Sequence, residues 1–238
     1  MGKRNVSMLI DKKIVLDFGP HTLESLLENH IDPCSVEKVL ISHMHLDHFG
    51  GLAEFLWYRA SNRSEEPLTV IGPNGIKSTT EKILQLYNTP FNERFRMSSV
   101  FRESAPKRES HHMEPEYVER GNVDGIEVFK GNHIIDDNIY RIERDGKVVT
   151  YSGDTAFTEN AIKAGENADV LFHEMTYADK YAEIAAFWKH STYSSAMKVF
   201  NESKARLMVP VHLTNETYNL VGASHKENVR LPISDIEL

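Results

Sequence analysis

Apolar and polar positions along the chain change period several times, and each change predicts an element. Residues 6–10 (VSMLI) and 12–18 (KKIVLDF) are short apolar runs split by a charged turn, which predicts a hairpin ended by Gly19 and Pro20. TLESLLENH follows, with Leu23, Leu26 and Leu27 at helical spacing and Thr22 as N-cap, closed by Asp32-Pro33. EKVLISH then predicts a buried strand, LAEFLWYRA a helix apolar on all sides, LTVIG a strand and IKSTTEKILQLYN an amphipathic helix. Residues 90–120 lose this regularity: Arg94, Arg96, Arg102, Lys107 and Arg108 mix with serines, histidines and acids, the pattern of a loop or flap. Regularity returns with the strands IEVFKG, NIYRIERDG and KVVTYSGD, where Asp145-Gly146 signals a tight hairpin. A helix (ENAIKAGE), a strand (ADVLFHE), a helix (SSAMKVFNES) and a strand (ARLMVPVH) complete the series.

Strands alternate with helices in both halves, so the expected class is α/β: two mixed sheets facing each other with helices outside. No repeat, low-complexity stretch or Gly/Ser-rich linker divides residues 1–238, and one domain is the economical expectation. The length of 238 residues suffices for a large core. A single cysteine, Cys34, excludes an internal disulfide framework and a Cys-rich zinc site, and points to a reducing, cytoplasmic setting. The start lacks the apolar run of a secretory signal, and no uncharged stretch approaches the ~18 residues of a membrane helix. A net charge of −8 argues against binding nucleic acid through bulk electrostatics.

The string SHMHLDHFGG carries the chemistry, with His43, His45, Asp47 and His48 inside six positions. In an extended segment, residues two apart point to the same side, so His43 and His45 can grip one ion together. Asp47 and His48 lie where the chain turns, and Gly50-Gly51 allow a bend that aims them at a second ion. Imidazole and carboxylate at this density suit zinc or a similar divalent ion.

His-x-His-x-Asp-His after a buried strand, in this alternation of elements, resembles the metallo-β-lactamase superfamily and its αββα sandwich. The resemblance implies a third histidine, a bridging aspartate and a last histidine, in that order. His133 in KGNH, Asp154 in TYSGDT and His212 in VPVHLT are their counterparts, with His111 and His112 competing for the place of His133. FHEMTY and KHST resemble the His-Glu-x-Thr and His-Ser-Thr motifs of the ribonuclease Z branch. They imply that Glu174 holds His190, which donates a proton to a leaving oxygen; His173 reads as a packing residue or an outer partner of the ligands. Lys3-Arg4-Asn5-Val6-Ser7 resembles the end of that branch's Pro-x-Lys-x-Arg-Asn loop, giving Arg4 a substrate role. VLDFGPHT resembles its segment around Asp17, an expected outer partner of a ligand histidine. The branch's usual first strand has no counterpart ahead of Lys3, so the expectation is that the chain begins late, has a misassigned start codon or carries an added Met1-Gly2.

One departure matters. His133 and Asp154 are 21 positions apart, which leaves no room for the long arm that ribonuclease Z uses to hold transfer RNA. The resemblance thus implies a dinuclear zinc hydrolase, with manganese or iron as alternative metals. Its ligands are His43, His45 and His133 on one ion, Asp47, His48 and His212 on the other, and Asp154 between them, with a hydroxide held by both as nucleophile. Asp47, His190 and Glu174 carry the catalytic work. The expected activity is an armless phosphodiesterase acting on RNA or small phosphodiesters, leaving a 5′-phosphate and a 3′-hydroxyl. A hydrolase of thioesters, lactones or lactams and a non-catalytic metal-binding protein are the competing readings. The resemblance also implies a homodimer and no membrane partner.

Overall fold

A computed structural model of the chain describes residues 6–62, 64–87, 115–119 and 121–232. The chain divides into two compact units, Met1–Glu119 and Arg120–Leu238.

The first unit is built on a mixed five-stranded sheet in the order β1-β2-β3-β4-β5. Its strands are β1 (Met8–Ile10), β2 (Ile14–Leu16), β3 (Lys38–Leu40), β4 (Thr69–Gly72) and β5 (Glu116–Glu119). β1 and β2 form the expected antiparallel hairpin, joined by Asp11, Lys12 and Lys13, with Asp11 and Lys12 at positive φ (49° and 58°). β2 to β5 are parallel neighbours, and the central ones read as continuous apolar runs, as strands covered on both faces do. Among the described residues, four helices accompany the sheet: α1 (Thr22–Glu28), α2 (Leu46–Phe49), α3 (Leu52–Ser61) and α4 (Ile76–Leu86). Ile76, Thr80 and Leu84 bury one face of α4 at helical spacing. Val15, Val39, Val70, Phe18, Phe55 and Leu56 meet in one core, each fully buried large side chain contributing about 1.5–3 kcal/mol.

The second unit has its own mixed sheet, in the order β10-β9-β8-β7-β6. β6 (Ile126–Lys130), β7 (Asn138–Arg144) and β8 (Lys147–Tyr151) are antiparallel, whereas β8, β9 (Val170–Glu174) and β10 (Leu207–Val211) are parallel. Asp145 and Gly146 turn β7 into β8 at φ 52° and 73°, the conformation their pairing anticipates. The helices are α5 (Glu159–Ala164), α6 (Ala182–Trp188), α7 (Tyr193–Ser203) and α8 (Asn215–Ser224). Thr158, Thr192 and Thr214 cap α5, α7 and α8 by accepting a backbone N–H. Ala161, Leu171, Ala196, Val199 and Met208 lie in a separate core.

Several local expectations are corrected. His21, in the left-handed conformation, is the N-cap of α1; Thr22 is its first helical residue and donates its hydroxyl to the Gly19 carbonyl (2.8 Å). α3 is buried on one side only, with Trp57 half exposed on the other. Residues 116–119 of the irregular stretch form β5, because their backbone completes the edge of the β4 ladder. α2, α6 and α8 had no periodic signal long enough to announce them. Arg4, His111, His112, Arg94, Arg96, Arg102, Lys107 and Arg108 lie outside the described residues.

Candidate active site

In the first unit the site residues follow the carboxyl ends of two neighbouring parallel strands, where side chains can reach into a crevice without breaking the ladder. Asp17 follows β2 at φ 54°, and Ser42 and His43 follow β3. All three are fully buried, with His48 beside them. Asp17 Oδ1 accepts the Ser42 backbone N–H (2.6 Å), and Oδ2 accepts the Ser42 hydroxyl (2.7 Å) and His48 Nδ1–H (2.6 Å). A hydroxyl has one proton, and Ser42 gives its proton to Asp17. Toward His43 Nδ1, at 3.0 Å, Ser42 can therefore only accept. In the neutral form of either ring, Nδ1 carries the hydrogen and Nε2 the lone pair, the form that binds a metal.

His43 Nε2 lies 2.9 Å from His45 Nδ1, as the two-residue spacing anticipates. Asp47 Oδ2 is 3.6 Å from His48 Nε2, and the Asp47 side chain is 44% exposed. α2 supplies the turn that presents Asp47 and His48, its first residue following His45. Gly50 and Gly51 have ordinary right-handed helical torsions, so their value is not the sharp bend expected of them. It is steric: a methyl group on Gly51 would press into the Gly19 carbonyl oxygen, and one on Gly50 would meet the Leu46 carbonyl oxygen at 2.6 Å.

The second unit gathers residues from far apart. Asp154 lies beyond the end of β8, Glu174 ends β9 and His212 directly follows β10, three neighbouring parallel strands whose carboxyl ends share one edge. Glu174 is fully buried. Its Oε1 accepts the Thr155 N–H (2.8 Å) and faces His190 Nδ1 (2.9 Å); its Oε2 accepts the Thr176 hydroxyl (2.7 Å). The Thr176 oxygen in turn faces His212 Nδ1 at 2.7 Å and, its proton spent, accepts there. His212 Nε2 is 3.5 Å from Asp154 Oδ2. Asp154, His190 and His212 each bring a ligand atom to within 4.8 Å of the others. His133 donates Nδ1–H to the Lys189 carbonyl (3.2 Å), and its ring lies 5.0 Å from that of His190. The Thr155 hydroxyl oxygen accepts the Asn132 N–H (2.9 Å), holding the His133 loop beside the loop of Asp154.

His190 sits just past the left-handed Lys189 that ends α6. The Ser191 hydroxyl binds the Thr155 carbonyl (2.7 Å) and Tyr177 N–H the Ser191 carbonyl (3.2 Å), which fixes the segment against Glu174. His173 is fully buried, gives Nδ1–H to the Glu174 carbonyl (2.7 Å), and is held neutral because burial pushes its pKa below the ordinary histidine value. Ser42 and Thr176 were assigned no role from the sequence. The available signal was a hydroxyl residue next to a ligand histidine and two positions after a buried glutamate.

The donor sets fit divalent metal ions: in His43, His48, His133 and His212 it is Nδ1 that faces a hydroxyl, carboxylate or carbonyl oxygen, so Nε2 is the nitrogen that would coordinate. The fold and these clusters define a ribonuclease Z-like hydrolase of the metallo-β-lactamase superfamily. Residues 4–229 match the family described as Anti-Pycsar protein Apyc1, and the chain belongs to that family. Ribonuclease Z of Limosilactobacillus fermentum is 28% identical, over 89% of this chain and 83% of its own length. The short form of human tRNase Z superposes with a TM-score of 0.69 at 19% identity, covering 89% of this chain and 86% of its own. The metallo-β-lactamase fold protein YhfI of Bacillus subtilis also gives 0.69, at 17% identity over 97% of this chain and 89% of its own. Among the described residues, no helix is long and apolar enough to cross a membrane.

Proposed function

We propose that the two units act as one catalytic domain, a dinuclear zinc phosphodiesterase of the cytoplasm that cleaves RNA or small phosphodiesters. His43, His45 and His133 would hold one ion, Asp47, His48 and His212 the other, and Asp154 both. The observation that carries this reading is the repeated arrangement of a buried carboxylate that anchors two histidines at the strand ends of each sheet. When bound, two divalent cations would supply an activated water, its pKa lowered toward neutrality, and a clamp on the phosphoryl oxygens.

The chain's own residues do the rest. Asp47, partly exposed, orients the attacking water. His190 has Nδ1 committed to Glu174, so Nε2 is the nitrogen that delivers a proton to the departing oxygen. Small substrates are favoured over folded RNA, because the span between His133 and Asp154 is taken up by the β7–β8 hairpin and its two-residue turn. A substrate held by no distant arm must be recognised near the reacting bond.

The test is a parallel assay of the purified chain on a precursor transfer RNA, a short oligoribonucleotide, a cyclic nucleotide and a thioester, with and without chelator. Chelator-sensitive turnover of a phosphodiester supports the reading. Turnover of the thioester alone transfers the chain to the carbonyl hydrolases, and no turnover of any substrate by metal-loaded protein leaves a metal-binding protein.

A further inference from the structure

Glu174 and Asp17 each reach a second histidine through a hydroxyl. In the first unit the path runs Asp17 Oδ2, Ser42 Oγ, His43 Nδ1 (2.7 and 3.0 Å); in the second it runs Glu174 Oε2, Thr176 Oγ1, His212 Nδ1 (2.7 and 2.7 Å). Ser42 is fully buried and Thr176 nearly so, which keeps water from replacing either hydroxyl. The direction of each path follows from proton count. An ionised carboxylate offers no proton, so the hydroxyl must donate to it; the hydroxyl then has only lone pairs left, and the imidazole must present Nδ1–H.

We propose that Thr176 and Ser42 are positioning residues that lock His212 and His43 in the Nδ1–H tautomer, so that Nε2 is the coordinating nitrogen. The inference rests on the reading of His212 and His43 as metal ligands and adds two residues that act through them. It also explains why one carboxylate per sheet suffices for two histidines. Glu174 grips His190 with one oxygen and, through Thr176, sets His212 with the other. His190 stays with the carboxylate while His212 turns its far nitrogen toward Asp154.

Nitrogen-15 NMR of the histidine rings in the metal-free protein reads the tautomers directly. His43 and His212 should show protonated Nδ1 in the unsubstituted chain; protonated Nε2 on either ring overturns the proposal without any variant. Metal affinity is then measured by competition with a chromophoric chelator. Thr176→Val, which keeps the side chain's shape, and Ser42→Ala should each weaken zinc binding about 10- to 100-fold, while Thr176→Ser and Ser42→Thr should bind as the parent does. His212→Ala and His43→Ala separate the two layers of the argument. If they leave affinity unchanged, the ligand assignment itself fails; if they lower it while Thr176→Val and Ser42→Ala do not, only the positioning role fails. Should Thr176→Val fail to fold, a mixed tautomer or weak binding in Thr176→Ser would still overturn the proposal.

Discussion

The two sheets carry the same device with different outcomes. In the first unit, Asp17 holds His48 directly and His43 through Ser42, and both histidines are candidate metal ligands. In the second, Glu174 holds His190 directly and His212 through Thr176, and only His212 is proposed as a ligand. The directly held ring differs in its surroundings. His48 is fully buried with its outer nitrogen near Asp47, whereas the His190 side chain is 14% exposed and stacks beside His212 at 5.3 Å between ring centres. A carboxylate-held imidazole can thus serve coordination or proton transfer. Under the proposed reading, the choice between them would rest on whether the outer nitrogen meets other ligands or a place that substrate and water can reach.

That comparison breaks most sharply on the directly held rings. His48→Ala should lose one bound ion and with it nearly all turnover. His190→Ala should keep both ions while turnover of a phosphodiester falls by about 10²–10⁴, read as metal content by elemental analysis beside steady-state rates. Equal metal loss in both variants would erase the distinction. One step smaller, Asp17→Asn should weaken metal binding by about 10- to 100-fold, while Glu174→Gln should act mainly on turnover, with its metal loss confined to the ion served by His212.

Smaller effects test the frame that holds the clusters. Gly51→Ala forces a methyl into the Gly19 carbonyl behind the Asp47-His48 turn and should cost about 1–3 kcal/mol in chemical denaturation. Gly146→Ala, at φ 73° with open space around it, meets only backbone strain and should cost about 1 kcal/mol or less. The smallest expected effect is on pH dependence. His173 is held neutral by burial, so the unfolded chain takes up its proton at a higher pH than the folded one, and stability should decline as pH falls through about 6.5. His173→Phe should flatten that decline in denaturation curves collected across pH.

The two clusters also differ in how far the chain foretold them. His43, His45, Asp47 and His48 are neighbours in sequence, so strand periodicity and a short turn were enough to gather them. The β1–β2 and β7–β8 hairpins were equally legible, the first because a charged turn splits two apolar runs and the second because the Asp145-Gly146 pair announces a two-residue turn. His133, Asp154, Glu174, His190 and His212 were found by resemblance of motif and order, since 79 positions separate the first from the last. Short helices such as α2 and α6 were not foreseen, because one or two turns bury too few residues to leave a period.

The sequence by itself determined the residue types, their order, the alternation of strands and helices, and the short segment that clusters most of the first unit's candidate ligands. Those features depend on local spacing, which covalent geometry transmits directly. Only the tertiary structure decided that Asp154, Glu174 and His212 meet at one edge, because parallel pairing of β8, β9 and β10 aligns their carboxyl ends. It alone also showed that Ser42 and Thr176 stand between a carboxylate and an imidazole. A hydroxyl has no spacing rule of its own; its role is set by which two groups lie within hydrogen-bond reach, and that is a property of the packed chain.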